Sequence, residues 1–268
     1  MRTSAAASAP FAPIERRRCE IVAARDVGAY RSFACADPSG PVPRAGQFYM
    51  LASAGRWGAG ADGRPFLPRA LSVLRAGDGT LEFLLEAVGP GTRRLAQAEP
   101  GESLWLLGPL GVGFNAPADG RRPLLVGGGI GVVPLAIWQD ELGPHATALL
   151  GFRGALHAPA AELLAGARVC TDDGSAGHHG RVTELLASEL DEDARAAVYA
   201  CGPPAMLEAV RALCADRAVP AQLALEAGMA CGFGACFGCV VPTTAGYVRL
   251  CVDGPVLDAA LLAAGWES

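Results

Sequence analysis

Between residue 16 and about residue 118 the apolar positions come in short runs cut by Gly, Pro and Asp. These runs are Cys19–Ala24, Tyr30–Ala34, Gln47–Ala52, Ala70–Leu74, Thr80–Glu86 and Ser103–Leu107. Short runs separated by turn residues predict the strands of a small antiparallel β-barrel or sandwich. A brief helix is expected over Thr92–Gln97, and the Gly- and Pro-rich stretch Ala54–Pro68 reads as a long loop. At Pro123 the rhythm changes. Strand-like Leu124–Val126, Ala146–Leu150, Ala167–Thr171, Ala197–Ala200 and Gln222–Leu225 alternate with helical Val132–Leu142, Ala158–Leu164, Val182–Leu190 and Pro203–Ala215. Alternation at these lengths predicts an α/β domain, a parallel sheet with helices on both faces.

The chain therefore divides into a flexible, Ala-, Ser- and Pro-rich extension (1–15), a β-barrel (16–118), an α/β domain (119–225) and a tail (226–268). A length of 268 residues accommodates this, and it supplies a core that needs no disulfides. The nine cysteines need another explanation. Cys19, Cys35, Cys170, Cys201 and Cys214 are scattered and read as ordinary buried residues, whereas Cys231, Cys236, Cys239 and Cys251 crowd into the tail. An odd number clustered in this way is not a secreted disulfide framework. With 22 basic and 27 acidic residues, nothing points to nucleic acid. The N-terminus lacks a sustained apolar core of the signal-peptide kind, and no apolar run approaches the roughly 20 residues of a membrane span. A cytoplasmic protein is expected.

The tail is too small to build a core of its own, so a metal centre is expected to organise it. Cys231-x4-Cys236-x2-Cys239, followed by Cys251, matches the spacing of plant-type [2Fe–2S] sites. Three thiolates on one loop must converge, with backbone amides turned toward the sulfurs. Gly232, Gly234 and Gly238 permit the dihedrals and close approach that this needs. The fourth ligand would come from the strand-like Val248–Val252. A structural zinc also takes four thiolates, but its modules present two short C-x2-4-C pairs, which this chain lacks.

Gly127-Gly128-Gly129-Ile130-Gly131 lies between an expected strand and helix, where exposed amides and the helix dipole suit a pyrophosphate. The match to the dinucleotide fingerprint is partial. Val132 stands at the third glycine position, and the second strand ends in Gly151-Phe152-Arg153 rather than an acid. A plain tight turn is the alternative reading. Tyr199-Ala-Cys201-Gly202-Pro203-Pro-Ala-Met206 again joins a strand to a helix. It puts Cys201 at the sheet's C-terminal edge, beside a nicotinamide ring or as a small buried hydrophobe. In the barrel, Arg69 suits a phosphate and the Ser72 hydroxyl a ring nitrogen or ribityl oxygen. Gly91-Thr92 opens the short helix.

Taken together, R-x-x-S, G-x-G-T, G-P-L-G, G-G-G-I-G-x-x-P and Y-x-C-G-P-P-x-M resemble the ferredoxin–NADP reductase superfamily over nearly the whole chain beyond residue 15. Within it, Glu226–Pro242, Arg249–Val256 and Thr171–Gly177 look like the electron-transfer subunits of type B dihydroorotate dehydrogenase. The resemblance implies FAD contacts at Arg69, Ala70, Leu71, Ser72, Leu84, Leu85, Glu86, Gly91 and Thr92. It implies cluster ligation by the four tail cysteines. NAD is implied near Gly127, Gly128, Gly129 and Gly131 and near Cys201, Gly202, Pro203 and Met206, although Arg153 would also suit a 2′-phosphate. Ala70 replaces the Pro usual in the flavin motif. The implied partner is an FMN-containing catalytic subunit that oxidises dihydroorotate, in an assembly with two copies of each subunit. Electrons would pass through [2Fe–2S] and FAD to NAD⁺ in pyrimidine biosynthesis. Other readings remain: the reductase subunit of a hydrogenase, ferredoxin-linked or oxygenase system, or a zinc-stapled regulatory module.

Overall fold

The computed structural model describes residues 15–55, 57, 65–263 and 265–266. Nearly all of the expected N-terminal extension, and residues 56 and 58–64 of the expected long loop, lie outside the described residues. Six strands form the first layer: β1 (Arg16–Val27), β2 (Tyr30–Ala36), β3 (Phe48–Ser53), β4 (Arg69–Gly77), β5 (Thr80–Glu86) and β6 (Ser103–Leu110). They close into an antiparallel barrel in the order β1-β2-β5-β4-β3-β6, with helix α1 (Pro90–Ala96) after β5.

Strand β3 is buried along its whole length. Alternate residues on a strand face opposite ways, and here both faces are covered. Tyr49 and Leu51 belong to the barrel interior, whereas Phe48 and Met50 pack into a second cluster with Cys239, Leu250 and Cys251. An apolar run without alternation marks the place where the C-terminal segment lies on the barrel.

The second layer is a parallel sheet of β7 (Arg122–Gly128), β8 (Thr147–Phe152), β9 (Arg168–Thr171), β10 (His178–His179), β11 (Ala196–Cys201) and β12 (Ala221–Ala224). The helices are α2 (Val132–Leu142), α3 (Val182–Glu192) and α4 (Pro204–Asp216). Helix α2 is buried from Val132 to Gln139 because it packs on β7 and β11 of the sheet and on β4 of the barrel. Phe114, Trp138 and Tyr199 meet at this junction with ring centroids 5.4–5.7 Å apart.

The expected helix over Ala158–Leu164 is instead a 3₁₀ stretch, Ala158–Leu163. Six residues do not repay α-helix nucleation. The chain is turned away at Leu164, where Gln139 fixes the next residue through Ala165 N–H to Oε1 at 2.7 Å.

Beyond Leu225 the chain forms a hairpin of β13 (Val240–Thr243) and β14 (Gly246–Arg249), then β15 (Val256–Asp258). Strand β15 pairs antiparallel with β12 and so covers the edge of the large sheet. Trp266 is buried and donates to Glu208 on α4 across 2.9 Å. The cysteine segment is thus held by the barrel on one side and by the sheet edge on the other. Among the described residues no helix is long and apolar enough to cross a membrane.

Candidate functional site

The four tail cysteines come together. Backbone N–H groups donate to each of the sulfurs: Gly234 to Cys251 at 3.1 Å, Ala235 to Cys231 at 3.3 Å, Cys251 to Cys239 at 3.4 Å and Gly238 to Cys236 at 3.5 Å. The loop achieves this with left-handed backbone at Gly232 (φ +81°) and Gly234 (φ +87°). The third left-handed residue is Phe237 (φ +58°), not the expected Gly238, whose contribution is its close amide. Arg249 holds this shape, donating to the Gly234 carbonyl at 3.1 Å with its guanidinium 5.2 Å from the Phe237 ring centre.

Cys251 does not sit on the expected strand Val248–Val252. Strand β14 stops at Arg249, and Cys251 occupies the turn that follows. Asp253 builds that turn by accepting the Arg249 N–H at 2.8 Å. Sequence reasoning gave Asp253 no definite role, because a carboxylate reaching back four residues to a backbone N–H leaves only a weak local signal.

Cys239 and Cys251 are buried, and Cys236 is exposed. Burial opposes ionisation of Cys231, but the amides of Phe233, Cys236 and Ala235 and the Cys236 thiol outweigh it and bring Cys231 down to about 6. Cys251 is pushed up by burial and by the Cys239 thiol. The four sulfurs thus sit in unlike surroundings, Cys239 and Cys251 buried and Cys236 exposed, each with a backbone amide turned to it. Four thiols from one loop and the turn beyond β14, each with a backbone amide donating to its sulfur, fit the ligand set of a [2Fe–2S] cluster.

A cavity of about 240 Å³ opens on the barrel side. Ala70, Leu71 and Ser72 of β4 and Leu84, Leu85 and Glu86 of β5 line it, with Thr92 at one end. Arg69 and Gly91 stand against one another outside the lining. A side chain on Gly91 would meet the Arg69 guanidinium at 2.2 Å, so glycine is what lets Arg69 lie over the start of α1. The Thr92 hydroxyl accepts the Gly89 N–H at 3.0 Å. The far wall is Leu225, Glu226, Ala227 and Met229, the chain that runs on into Cys231.

A second cavity, of about 860 Å³, lies over the C-terminal edge of the sheet. Gly128, Gly129, Gly202, Pro203 and Met206 line it, as expected. Gly127 and Gly131 do not; they permit close packing beneath it. A Cβ on Gly131 would stand 2.0 Å from the Cys201 carbonyl oxygen, and one on Gly127 would stand 2.7 Å from Leu150 Cδ2. The third glycine of the fingerprint, which lets helix approach strand, is thus Gly131 rather than position 132. Cys201 lines the smaller cavity and is buried. Burial, and then Glu226, push its thiol far above the usual range, so it remains neutral.

The two cavities share Glu86, Ile130 and Glu226. Glu86 lies 3.3 Å from His157 Nε2. Glu226 makes no hydrogen bond or ion pair among the described residues. Its side chain is open to cavity solvent yet enclosed by protein, and burial raises its carboxyl above the usual range. Arg153 and Arg181 also line the larger cavity, and neither guanidinium makes a hydrogen bond or ion pair among the described residues. Free cations and glycine amides around one cavity suit a pyrophosphate. Arg181 escaped the sequence reading, and Asp172 entered it only within the resembling stretch Thr171–Gly177, because their placement depends on how β9, β10 and α3 pack.

Comparison with known proteins gives a consistent picture. The model of the iron-sulfur cluster binding domain of dihydroorotate dehydrogenase B matches residues 226–263, and that of the oxidoreductase NAD-binding domain matches residues 163–212. The dihydroorotate dehydrogenase B (NAD(+)) electron transfer subunit of Geobacillus kaustophilus is 42% identical over 214 residues, 74% of this chain and 81% of that protein. The Clostridium acetobutylicum subunit of the same description is 34% identical over 216 residues, 80% of this chain and 83% of its own. Among solved structures, an NADH-dependent reduced ferredoxin-NADP oxidoreductase superposes with a TM-score of 0.77 at 26% identity, covering 93% of this chain and 90% of its own. The ferredoxin reductase of carbazole 1,9a-dioxygenase (TM-score 0.64, 23% identity, 78% of this chain and 68% of its own) shares the fold.

Proposed function

Because the chain belongs to the electron transfer subunits of dihydroorotate dehydrogenase B (NAD(+)), we propose that it relays electrons from a dihydroorotate-oxidising catalytic subunit to NAD⁺ in pyrimidine biosynthesis. When bound, FAD exchanges a hydride with nicotinamide and single electrons with a [2Fe–2S] cluster, which is why both groups belong on one chain. The observation that carries this reading is the continuity of the three sites. The wall Glu226–Met229 of the barrel cavity leads directly into the cysteine loop, and Glu86, Ile130 and Glu226 are common to both cavities.

Cys231, Cys236, Cys239 and Cys251 hold the cluster, with the amides of Gly234, Ala235, Gly238 and Cys251 supporting their sulfurs. Arg69 binds an FAD phosphate from its place over Gly91, with Thr92 shaping the turn beside it. Ser72 offers its hydroxyl to the flavin, and the backbone of Ala70, Leu71 and Leu84–Glu86 forms the pocket around the ring. Gly127, Gly128, Gly129 and Gly131 shape the turn for the NAD pyrophosphate, and Gly202, Pro203 and Met206 form the opposite wall. Cys201, held neutral by burial, presents a small uncharged surface where the two cavities approach one another. Domain limits at 15/16, 118/119 and 225/226 describe these three functional units.

The partner carries FMN, and the assembly contains two copies of each subunit in the cytoplasm. Oxidation of dihydroorotate belongs to that partner, and the chain alone does not carry it out. The test is reconstitution. Dihydroorotate-dependent NAD⁺ reduction should require both purified subunits, and oxidation of dihydroorotate by this chain alone would overturn the reading.

A further inference from the structure

Tyr30 opens β2 immediately after the β1–β2 turn, and the sheet layer holds that turn in place. The Ala29 N–H donates to the Leu156 carbonyl, just beyond the end of β8, at 2.9 Å. Gly28 is left-handed (φ +58°), and a Cβ on it would stand 2.3 Å from the same oxygen, so glycine lets the turn come this close. The His157 ring then meets the Tyr30 ring edge-on, with centroids 5.5 Å apart. A barrel residue is thereby fixed in the wall of the larger cavity, which Tyr30 lines with Gly129 and Arg153.

The Tyr30 hydroxyl is buried and has no hydrogen-bond partner among the described residues. Arg31 Nε and Trp138 Nε1 share that condition, but neither residue lines either cavity. A buried donor without an acceptor costs stability, and a ligand that brings the acceptor recovers it. Burial, and then Glu86, raise the Tyr30 pKa against the pull of Arg153, so the hydroxyl keeps its proton and stays a donor. The glycine turn lies beside it: a Cβ on Gly129 would stand 3.7 Å from Tyr30 Oη.

We propose that Tyr30 is a nucleotide-binding residue supplied by the barrel, its hydroxyl donating to the diphosphate at the phosphate nearer the nicotinamide. The proposal rests on reading this cavity as the nucleotide site. The choice of phosphate follows from what surrounds Tyr30. Glu86, its cross-strand neighbour on β5, and Ile130, next to Gly129, line both cavities, so Tyr30 stands on the flavin side of the glycine turn. A dinucleotide reaching from the sheet edge toward that junction lays its diphosphate over the turn. There the neutral hydroxyl, the amides of the turn and the unpaired Arg153 guanidinium supply three kinds of donor to one anion. Because Tyr30 belongs to the barrel and the glycine turn to the sheet, the bound nucleotide bridges the two layers.

The test is calorimetric titration of the FAD-loaded whole chain, wild type and Tyr30→Phe, with AMP, ADP and ADP-ribose, none of which carries nicotinamide. Phenylalanine keeps the ring against His157 and removes only the hydroxyl. It should weaken ADP and ADP-ribose by about 10-fold, the scale of a hydrogen bond to a charged group. AMP, which lacks the second phosphate, should bind as before. Without nucleotide the variant should melt no lower than wild type, because the hydroxyl bonds nothing among the described residues. Unchanged affinity for ADP-ribose would overturn the proposal while the nucleotide site stands, and a lower melting temperature beside it would assign the hydroxyl to the fold. An equal loss for AMP, or a loss for ADP-ribose with none for ADP, would overturn the contact to that phosphate. Failure of wild type to bind ADP-ribose would overturn the site and the proposal together.

Discussion

The amide of Gly234 donates to the sulfur of Cys251 across 3.1 Å, joining the glycine-rich loop to a turn seventeen residues further along the chain. The bond needs Gly234 in left-handed backbone (φ +87°), and a Cβ there would stand 2.7 Å from Val252 Cγ2. Gly234→Ala should therefore withdraw the amide from Cys251 and loosen the loop. Changes just outside a metal's own ligands act on affinity by about 10- to 100-fold, so iron should be lost on gel filtration while FAD is retained. Iron assayed against FAD in the purified variant checks this; an unchanged ratio contradicts it.

Gly91 and Arg69 make a parallel pair in the barrel. A methyl at position 91 would fall 2.2 Å from Arg69 Nε. Since the guanidinium is the mobile end of a long side chain, it moves and the fold survives. Gly91→Ala should weaken FAD binding by about 10-fold, the loss expected for one charge-assisted hydrogen bond. Titration of the flavin-free chain with FAD, followed by fluorescence, measures this. The melting temperature without flavin should scarcely change.

Gly131 admits no such escape, because the group it faces is the Cys201 backbone carbonyl. Gly131→Ala must push α2 away from β11. Overpacking of this kind costs about 1–3 kcal/mol, and here it also deforms the glycine turn. A lower melting temperature together with weaker NADH binding is expected. A variant that kept wild-type NADH affinity would show that the turn does not hold the nucleotide.

Glu226 gives a pH dependence with a definite sign. Burial raises its folded-state value above the ordinary 4.5. The protonated carboxyl therefore contributes stability that is full below about 4.5 and lost as pH rises through the raised value. Glu226→Gln, neutral throughout, should melt above wild type at pH 8, and the difference should close as pH falls toward 4.5. A difference that stays constant across this range would show that Glu226 is an ordinary solvated carboxylate.

Helix α2 was legible to the residue, because a strand, a glycine turn and a continuous apolar helix follow one another there. Five of the six barrel strands ran one to three residues past their apolar cores, while Thr80–Glu86 matched throughout. The segment Ala158–Leu163 was misread because local propensity could not show how soon the chain must turn into β9. Strands β10 and β15, two and three residues long, owe their existence to pairing with β9 and β12 and left no pattern of their own. The cysteine spacing announced its loop, but the left-handed backbone at Phe237 did not follow from sequence, since that region favours glycine and Gly238 stands next to it. Likewise Asp172 lies beside β8 only because β9 pairs there.

The most direct test of the central claim is the absorption spectrum of anaerobically purified chain, with iron, zinc and flavin assayed on the same sample. The account predicts flavin bands over a broad iron–sulfur envelope, iron and FAD in the ratio one [2Fe–2S] cluster per flavin demands, and bleaching of both by NADH. A colourless protein holding zinc and no flavin would contradict it.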